Sequence, residues 1–223
     1  MKKLLLILML LLPLAMPLGA AAQNLNELVD IPTADIYESG TYNINLRTYD
    51  SGNLLARLLL SVKFFELGAY LDVQNATGTA DPKAQDVKPL LKIRLYPGGQ
   101  ILPALAVGYD GQGLNYYFKE PRGFFVVLTK ELLLPGLELH IGGNNRDYPY
   151  GFAGASYTFE EQGRIFVEYD RIRNLNDMQD NHCNAGLKFQ ITKDLGMQFD
   201  FRNIGSRGNK YERILRFDYT GNF

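Results

Sequence analysis

The sequence predicts an all-β chain: an antiparallel up-and-down transmembrane β-barrel of twelve strands, within a range of ten to fourteen, behind an export signal. Three observations predict it. Apolar residues recur at every second position through successive segments of about ten residues. The connections between those segments alternate in length. The chain also finishes on an alternating stretch, LRFDYTGNF, whose last residue is Phe223.

The elements follow in order. Lys2 and Lys3, the run LLLILMLLLPLAM and the small residues Gly19–Ala20–Ala21–Ala22 read as a signal peptide over 1–22, cleaved after Ala22. An uncleaved anchor is the alternative, and Pro13 and Pro17 argue against it. Residues 23–39, QNLNELVDIPTADIYES, form a periplasmic or plug-like leader. They could enter the lumen or lie beneath the barrel, and the sequence leaves both open. The barrel occupies 40–223, with strands expected at 40–49, 54–64, 67–76, 88–96, 101–109, 122–131, 136–143, 151–159, 163–173, 182–192, 196–204 and 211–223.

Most segments have one greasy face. Tyr42, Ile44 and Leu46 alternate with Asn43, Asn45 and Arg47, and Met197, Phe199 and Phe201 with Gln198, Asp200 and Arg202. GFFVVLTKELLL is apolar on both faces, so alternation does not orient it. Connections after even-numbered strands are short (FFEL, YPGGQ, LLLPG, EEQG, TKDLG). Those after most odd-numbered strands are longer, and DSGN after the first is the exception. This sorting by parity is that of outer-membrane barrels, with short periplasmic turns and longer outer loops.

A sheet with one apolar face can hide it inside a soluble barrel or turn it into lipid. Strand length favours lipid, because a tilted spanning strand needs about 9–11 residues against a soluble mean of about 5–6. The expected partners are therefore outer-membrane lipid and, through a C-terminal insertion signal at Leu215, Phe217, Tyr219 and Phe223, the barrel-assembly machinery. The expected location is the outer membrane of a Gram-negative-type cell. A net charge of −1 suggests no nucleic acid, and the lone Cys183 forms no internal disulfide.

The polar faces then become a charged lumen. Its candidate pore-lining residues are Arg47, Arg57, Lys63, Asp72, Lys92, Arg94, Glu138, His140, Glu168, Asp170, Lys188, Asp200, Arg202, Arg216 and Asp218. Positive charges dominate the first four strands, and Glu138, Glu168 and Asp170 mark strands seven to nine. A transverse field of this kind could orient a polar solute; equally, the charges could pair across the lumen and fill it. No enzyme is expected. His140 and His182 are the only histidines, and His140 with Glu138 could make a base and its orienter but fits a polar pair in the lumen wall better. No cofactor and no metal site is expected; Asp170, Asp177 and Asp180 could at most hold a loose cation.

The stretches VDIPTADIYESGTYNINLR, KPLLKIRLYPGGQILPALAVGYDGQG, GFFVVLTKEL, YGFAGASYTF and FVEYDRIRN resemble the YjbH-like outer-membrane proteins across most of the mature chain. That resemblance implies an outer-membrane barrel and a link to exopolysaccharide production or secretion. Three functions remain open: a narrow conduit for small polar solutes or polysaccharide; a plugged barrel whose loops, among them LNYYFKEPRG and GNNRDYPYG, bind a partner; and a soluble exported barrel carrying a ligand.

Overall fold

The computed structural model describes residues 25–77, 79–111, 122–145, 150–159, 163–172, 182–204 and 211–223. The signal peptide expected over 1–22 and much of the long loops, Asp177 and Asp180 included, lie outside them. Among the described residues, twelve antiparallel strands form the barrel: β1 (Thr41–Tyr49), β2 (Asn53–Val62), β3 (Phe65–Gln74), β4 (Lys88–Tyr96), β5 (Ala104–Asp110), β6 (Gly123–Glu131), β7 (Leu137–Asn144), β8 (Tyr150–Phe159), β9 (Gly163–Ile172), β10 (His182–Gln190), β11 (Leu195–Arg202) and β12 (Glu212–Asn222). Each strand pairs with its successor. β12 then returns to β1 in a register running from Thr41↔Asn222 to Thr48↔Leu215. Closure leaves no backbone edge facing hydrocarbon, where each unpaired group would cost several kcal/mol. A two-residue strand, Lys83–Ala84, adds to β3 inside a connection that reads from sequence as loop.

Among the described residues, the short turns, the entry of β1 and the exit of β12 share one rim. Gly40 N–H donates to Ser61 O (2.8 Å) and Phe223 N–H to Gly40 O (2.9 Å), which ties the entry of β1 to the exit of β12. The two-residue turn after β2 uses Lys63 in the left-handed region, φ +55°. This moves Lys63 out of the expected lumen set: it sits exposed at the rim, because β2 ends at Val62 rather than Phe64.

The apolar faces point outward. Leu58 is 46% exposed and its neighbour Leu59 is fully buried; Phe124 is 63% exposed and Phe125 5%. Ile44, Leu46, Leu60, Val62, Ile165, Val167, Phe217 and Tyr219 also face out. Arg47, Arg57, Lys92, Glu168, Asp200 and Arg216 face in and are buried. A soluble barrel has the opposite polarity, so this is a transmembrane barrel.

The interior is partly apolar as well. Phe125, Phe152 and Phe166 project inward from β6, β8 and β9. Each lies directly across the ladder from a glycine: Gly108, Gly142 and Gly186 respectively. A Cβ on Gly108 would fall 2.5 Å from Cζ of Phe125, so the glycine is what lets the ring lie flat on the neighbouring strand. These rings pave one side of the lumen.

Candidate functional site

The paved side receives the leader. Residues 25–37 lie inside the barrel, and Leu25, Leu28, Val29, Ile31 and Ala34 form one buried cluster with Ala104, Ala106, Phe125, Val127, Phe152 and Phe166. This explains the segment that alternation could not orient. β6 is apolar on both faces because its outer face meets lipid and its inner face meets the leader.

The leader folds into a hairpin. Glu27 and Pro32 pair, Leu28 N–H donates to Ile31 O (3.0 Å), and Thr33 N–H donates to Asn26 O (3.1 Å). Its tip is Val29–Asp30. Three successive backbone donors there converge on one carboxylate: Val29 N–H reaches Glu168 Oε2 at 2.9 Å, Asp30 N–H reaches Oε1 at 2.9 Å, and Ile31 N–H reaches Oε2 at 3.1 Å. Asn184 Nδ2 donates to the same carboxylate at 2.7 Å. Such a run of N–H groups is an anion-binding concavity, and here its anion is a wall side chain.

The leader's own carboxylates face arginines. Asp30 meets Arg47 (2.7 Å) and Arg202 (2.5 Å); Glu27 meets Arg57 (2.8 Å) and Arg216 (2.6 Å). Arg216 also donates to Val29 O, and Arg122 to Asp30 O. At the base, Lys92 Nζ donates to Asn26 O (2.8 Å), Asn26 Oδ1 (2.9 Å), Thr33 O (3.3 Å) and Asp35 O (2.8 Å), with Glu66 at 3.8 Å. Tyr37 N–H and Asn26 Nδ2 donate to Glu66. Both limbs of the hairpin are therefore held by one Lys–Glu pair, and little space remains beside Glu27. The void lined by Glu27, Tyr37, Arg57, Lys188 and Arg216 is about 10 Å³, room for a single water.

Of the residues expected to line the lumen, Arg47, Arg57, Asp72, Lys92, His140, Glu168, Asp170, Lys188, Asp200, Arg202, Arg216 and Asp218 are buried inside, and Arg94 and Glu138 are half-buried. Part of the wall pairs with itself: Lys188 with Asp218 (3.1 Å), Arg216 with Asp200 (2.8 Å), Arg202 with Glu212 (3.2 Å). The His140 ring sits between Thr129 Oγ1 (3.0 Å from Nδ1) and Ser156 Oγ (3.1 Å from Nε2). Glu138 lies against Ser156 and Arg164 instead of His140, so the two do not form the base and orienter that their spacing allowed.

Sequence reading missed Glu66, Asp110, Arg122 and Glu212, all buried inside, and the leader's Glu27 and Asp30. Glu66 and Asp110 lie one residue outside the strands expected at 67–76 and 101–109, where boundaries read from alternation slip; Arg122 opens the segment that alternation does not orient, and Glu212 stands in alternation with Arg216 and Asp218, a signal that could have found it. The leader had a usable signal: Leu25, Leu28, Val29 and Ile31 are too apolar for a solvated tail, and β6 offers an otherwise unexplained inner apolar face.

The leader's charges give a pH expectation. Burial alone pushes the Asp30 carboxyl up, but Arg202 and Arg47 outweigh it and hold the group below the usual carboxylate range. Glu27 behaves likewise under Arg57, Arg216 and Arg47. A depressed value stabilises the seated leader at all pH above the ordinary carboxylate value, and the contribution is lost only as pH falls through the lowered one. Asp35 runs the other way, since burial raises its carboxyl against the pull of Lys92. Glu27 and Asp30 should thus not loosen the seating between pH 8 and 5, and the relief of Asp35 as pH falls should tighten it, measured as leader accessibility to protease; Asp35→Asn should tighten it at pH 7.

Gly154 offers a direct mechanical test. A Cβ there would lie 2.5 Å from Leu28 Cδ1 and 2.9 Å from Ile31 Cδ1. Gly154→Val should wedge the leader off the wall at a cost of about 1–3 kcal/mol. The readout is faster proteolysis within 25–37, with the barrel's heat-modifiable gel shift retained.

No family model matches this chain, and no curated protein matches it in sequence. Two solved structures resemble it in fold. One is the KdgM porin, 15% identical with a TM-score of 0.54; the other is the KdgM porin in complex with disordered oligogalacturonate, 12% identical with a TM-score of 0.54. Each alignment covers 80% of this chain and 98% of the other. The likeness is one of fold, a closed antiparallel transmembrane β-barrel.

Proposed function

We propose that this protein is an outer-membrane porin-like conduit for small polar solutes or oligosaccharides, closed in its resting state by residues 25–37. The carrying observation is a lumen whose arginines clasp one short hairpin. The fold likeness to a porin seen with oligogalacturonate supports a saccharide as the solute. The YjbH-like motifs point the same way, toward polysaccharide. On this reading the rim bearing Gly40 and Phe223 faces the periplasm, and Leu215, Phe217, Tyr219 and Phe223 guide insertion by the assembly machinery.

A second reading is a permanently plugged barrel acting through its outer loops. The buried leader side chains favour it: Leu25, Leu28, Val29 and Ile31 contribute on the order of 1.5–3 kcal/mol each. Planar-bilayer recording separates the two. The intact protein should be nearly silent, and variants that unseat the leader should conduct. Silence in folded, leader-displaced variants would establish the plugged barrel instead.

A further inference from the structure

The hairpin presents two chemistries to two walls. Carboxylates of Glu27 and Asp30 meet guanidiniums from β1, β2, β11 and β12, while backbone N–H donors meet Glu168 on β9. Sealing a tube needs neither. Apolar side chains already do it on the β5–β9 side, and each buried charge carries a desolvation cost that a greasy plug would avoid.

With the hairpin gone, Arg202 and Arg216 keep Glu212 and Asp200. Arg47 and Arg57 lose the carboxylates they meet at 2.7 and 2.8 Å. Glu168 loses three donors and keeps Asn184. The emptied lumen then asks for a ligand with carboxylates on one side and hydrogen-bond donors on the other. A uronic acid residue in a saccharide has that pattern: a planar carboxylate suited to a guanidinium fork, and ring hydroxyls that donate to a carboxylate.

We propose that Arg47, Arg57, Arg202 and Arg216 with Glu168 and Asn184 form a binding site for a carboxylate-bearing saccharide, which the hairpin tip occupies as a built-in mimic. The site rests on the function proposed above in one respect, that the leader can leave. The leader and the saccharide then compete, and weakening the leader raises apparent affinity by the fraction of site uncovered.

The test uses the full chain in detergent, with folding checked by its heat-modifiable gel shift. The probes are a linear tri-uronate and a neutral triglucan of equal length. Glu27→Gln with Asp30→Asn should bind the tri-uronate about tenfold more tightly than the parent, and Glu27→Gln alone, the fallback if the pair misfolds, should move the same way. Adding Arg47→Gln and Arg57→Gln should reduce tri-uronate binding to the triglucan level. Ala34→Cys with Thr129→Cys in a Cys183→Ser background should block binding when oxidised and restore it when reduced; Ala34 N and Thr129 Oγ1 are 2.8 Å apart. Equal affinity for the two probes, or no gain on neutralising the leader, overturns the site. Conductance recorded in parallel keeps the failures apart. Current without uronate preference removes the site and leaves the conduit; uronate binding without current removes the conduit and leaves the site.

Discussion

Ile31→Asp should empty the lumen. Ile31 is fully buried in the cluster with Phe152 and Phe166, and its backbone N–H is committed to Glu168. A carboxylate at this position would lie among aromatic rings and beside the wall carboxylate, and Arg122, 5.5 Å from the Phe152 ring centroid, is already committed to Asp30 O and Asp110. Lost apolar transfer adds to uncompensated charge burial, together about 4 kcal/mol or more. At about 1.4 kcal/mol per decade, the seated-to-released ratio falls roughly a thousandfold. The barrel itself should persist, because its ladders run strand to strand from β1 to β12 without the leader. The expected result is a folded barrel by gel shift, rapid proteolysis within 25–37, and steady current in bilayers. Ile31→Val removes one methylene, costs about 0.5–1.5 kcal/mol, and should leave the current at the parent's level. If Ile31→Asp and Ile31→Val prove equally silent and equally protected, the leader is not held by its apolar face.

The barrel was legible in the sequence because lipid enforces a simple rule. Every outward position must be apolar, so the two-residue period survives along Tyr42–Ile44–Leu46 and Met197–Phe199–Phe201, and strand positions follow from it. Strand ends were less legible. At Lys63 the turn's need for a residue with φ +55° took precedence over alternation, and at Glu66 and Asp110 the inward pattern runs on past the expected boundary. The contents of the lumen were the least legible part. Lumen charges were readable as a set, but their partners lie far away along the chain: Glu27 with Arg216, Asp30 with Arg202, Asp30 backbone with Glu168. No spacing rule links residues 138 to 189 positions apart. What alternation did record was its own failure at β6, and that failure is the trace of a second packing partner inside the barrel.

The groups that meet the hairpin sit on different parts of the wall. Arginines of β1, β2, β11 and β12 face the hairpin's carboxylates, and Glu168 of β9, four strands from β1 around the ring, faces its N–H groups. Together they hold a piece of the protein's own chain. On the function proposed above, a solute has to offer comparable complementarity before it can take the hairpin's place.

Arg216→Ala should loosen the same hairpin from the opposite wall. The guanidinium meets Glu27 Oε1 at 2.6 Å and Asp200 Oδ2 at 2.8 Å, and donates to Val29 O. Truncation leaves Glu27 with Arg57 but strips the fully buried Asp200 of its cation. Breaking a buried pair from one side costs about 3–5 kcal/mol. Arg216→Lys should recover only part of this, since one ammonium cannot reach three acceptors held by a planar fork. Arg216→Met with Asp200→Leu should recover more barrel stability, because removing both charges leaves no orphan, yet it should not restore the grip on Glu27 and Val29. Lys188→Ala supplies the contrast. Lys188 pairs with Asp218 on the wall, so its loss should lower the gel-shift midpoint without raising protease access to the leader. Divergence between those two readouts, loosened leader for Arg216 and weakened wall for Lys188, separates a clasp on the hairpin from generic lumen electrostatics; parallel responses in both would reduce Arg216 to one more wall charge.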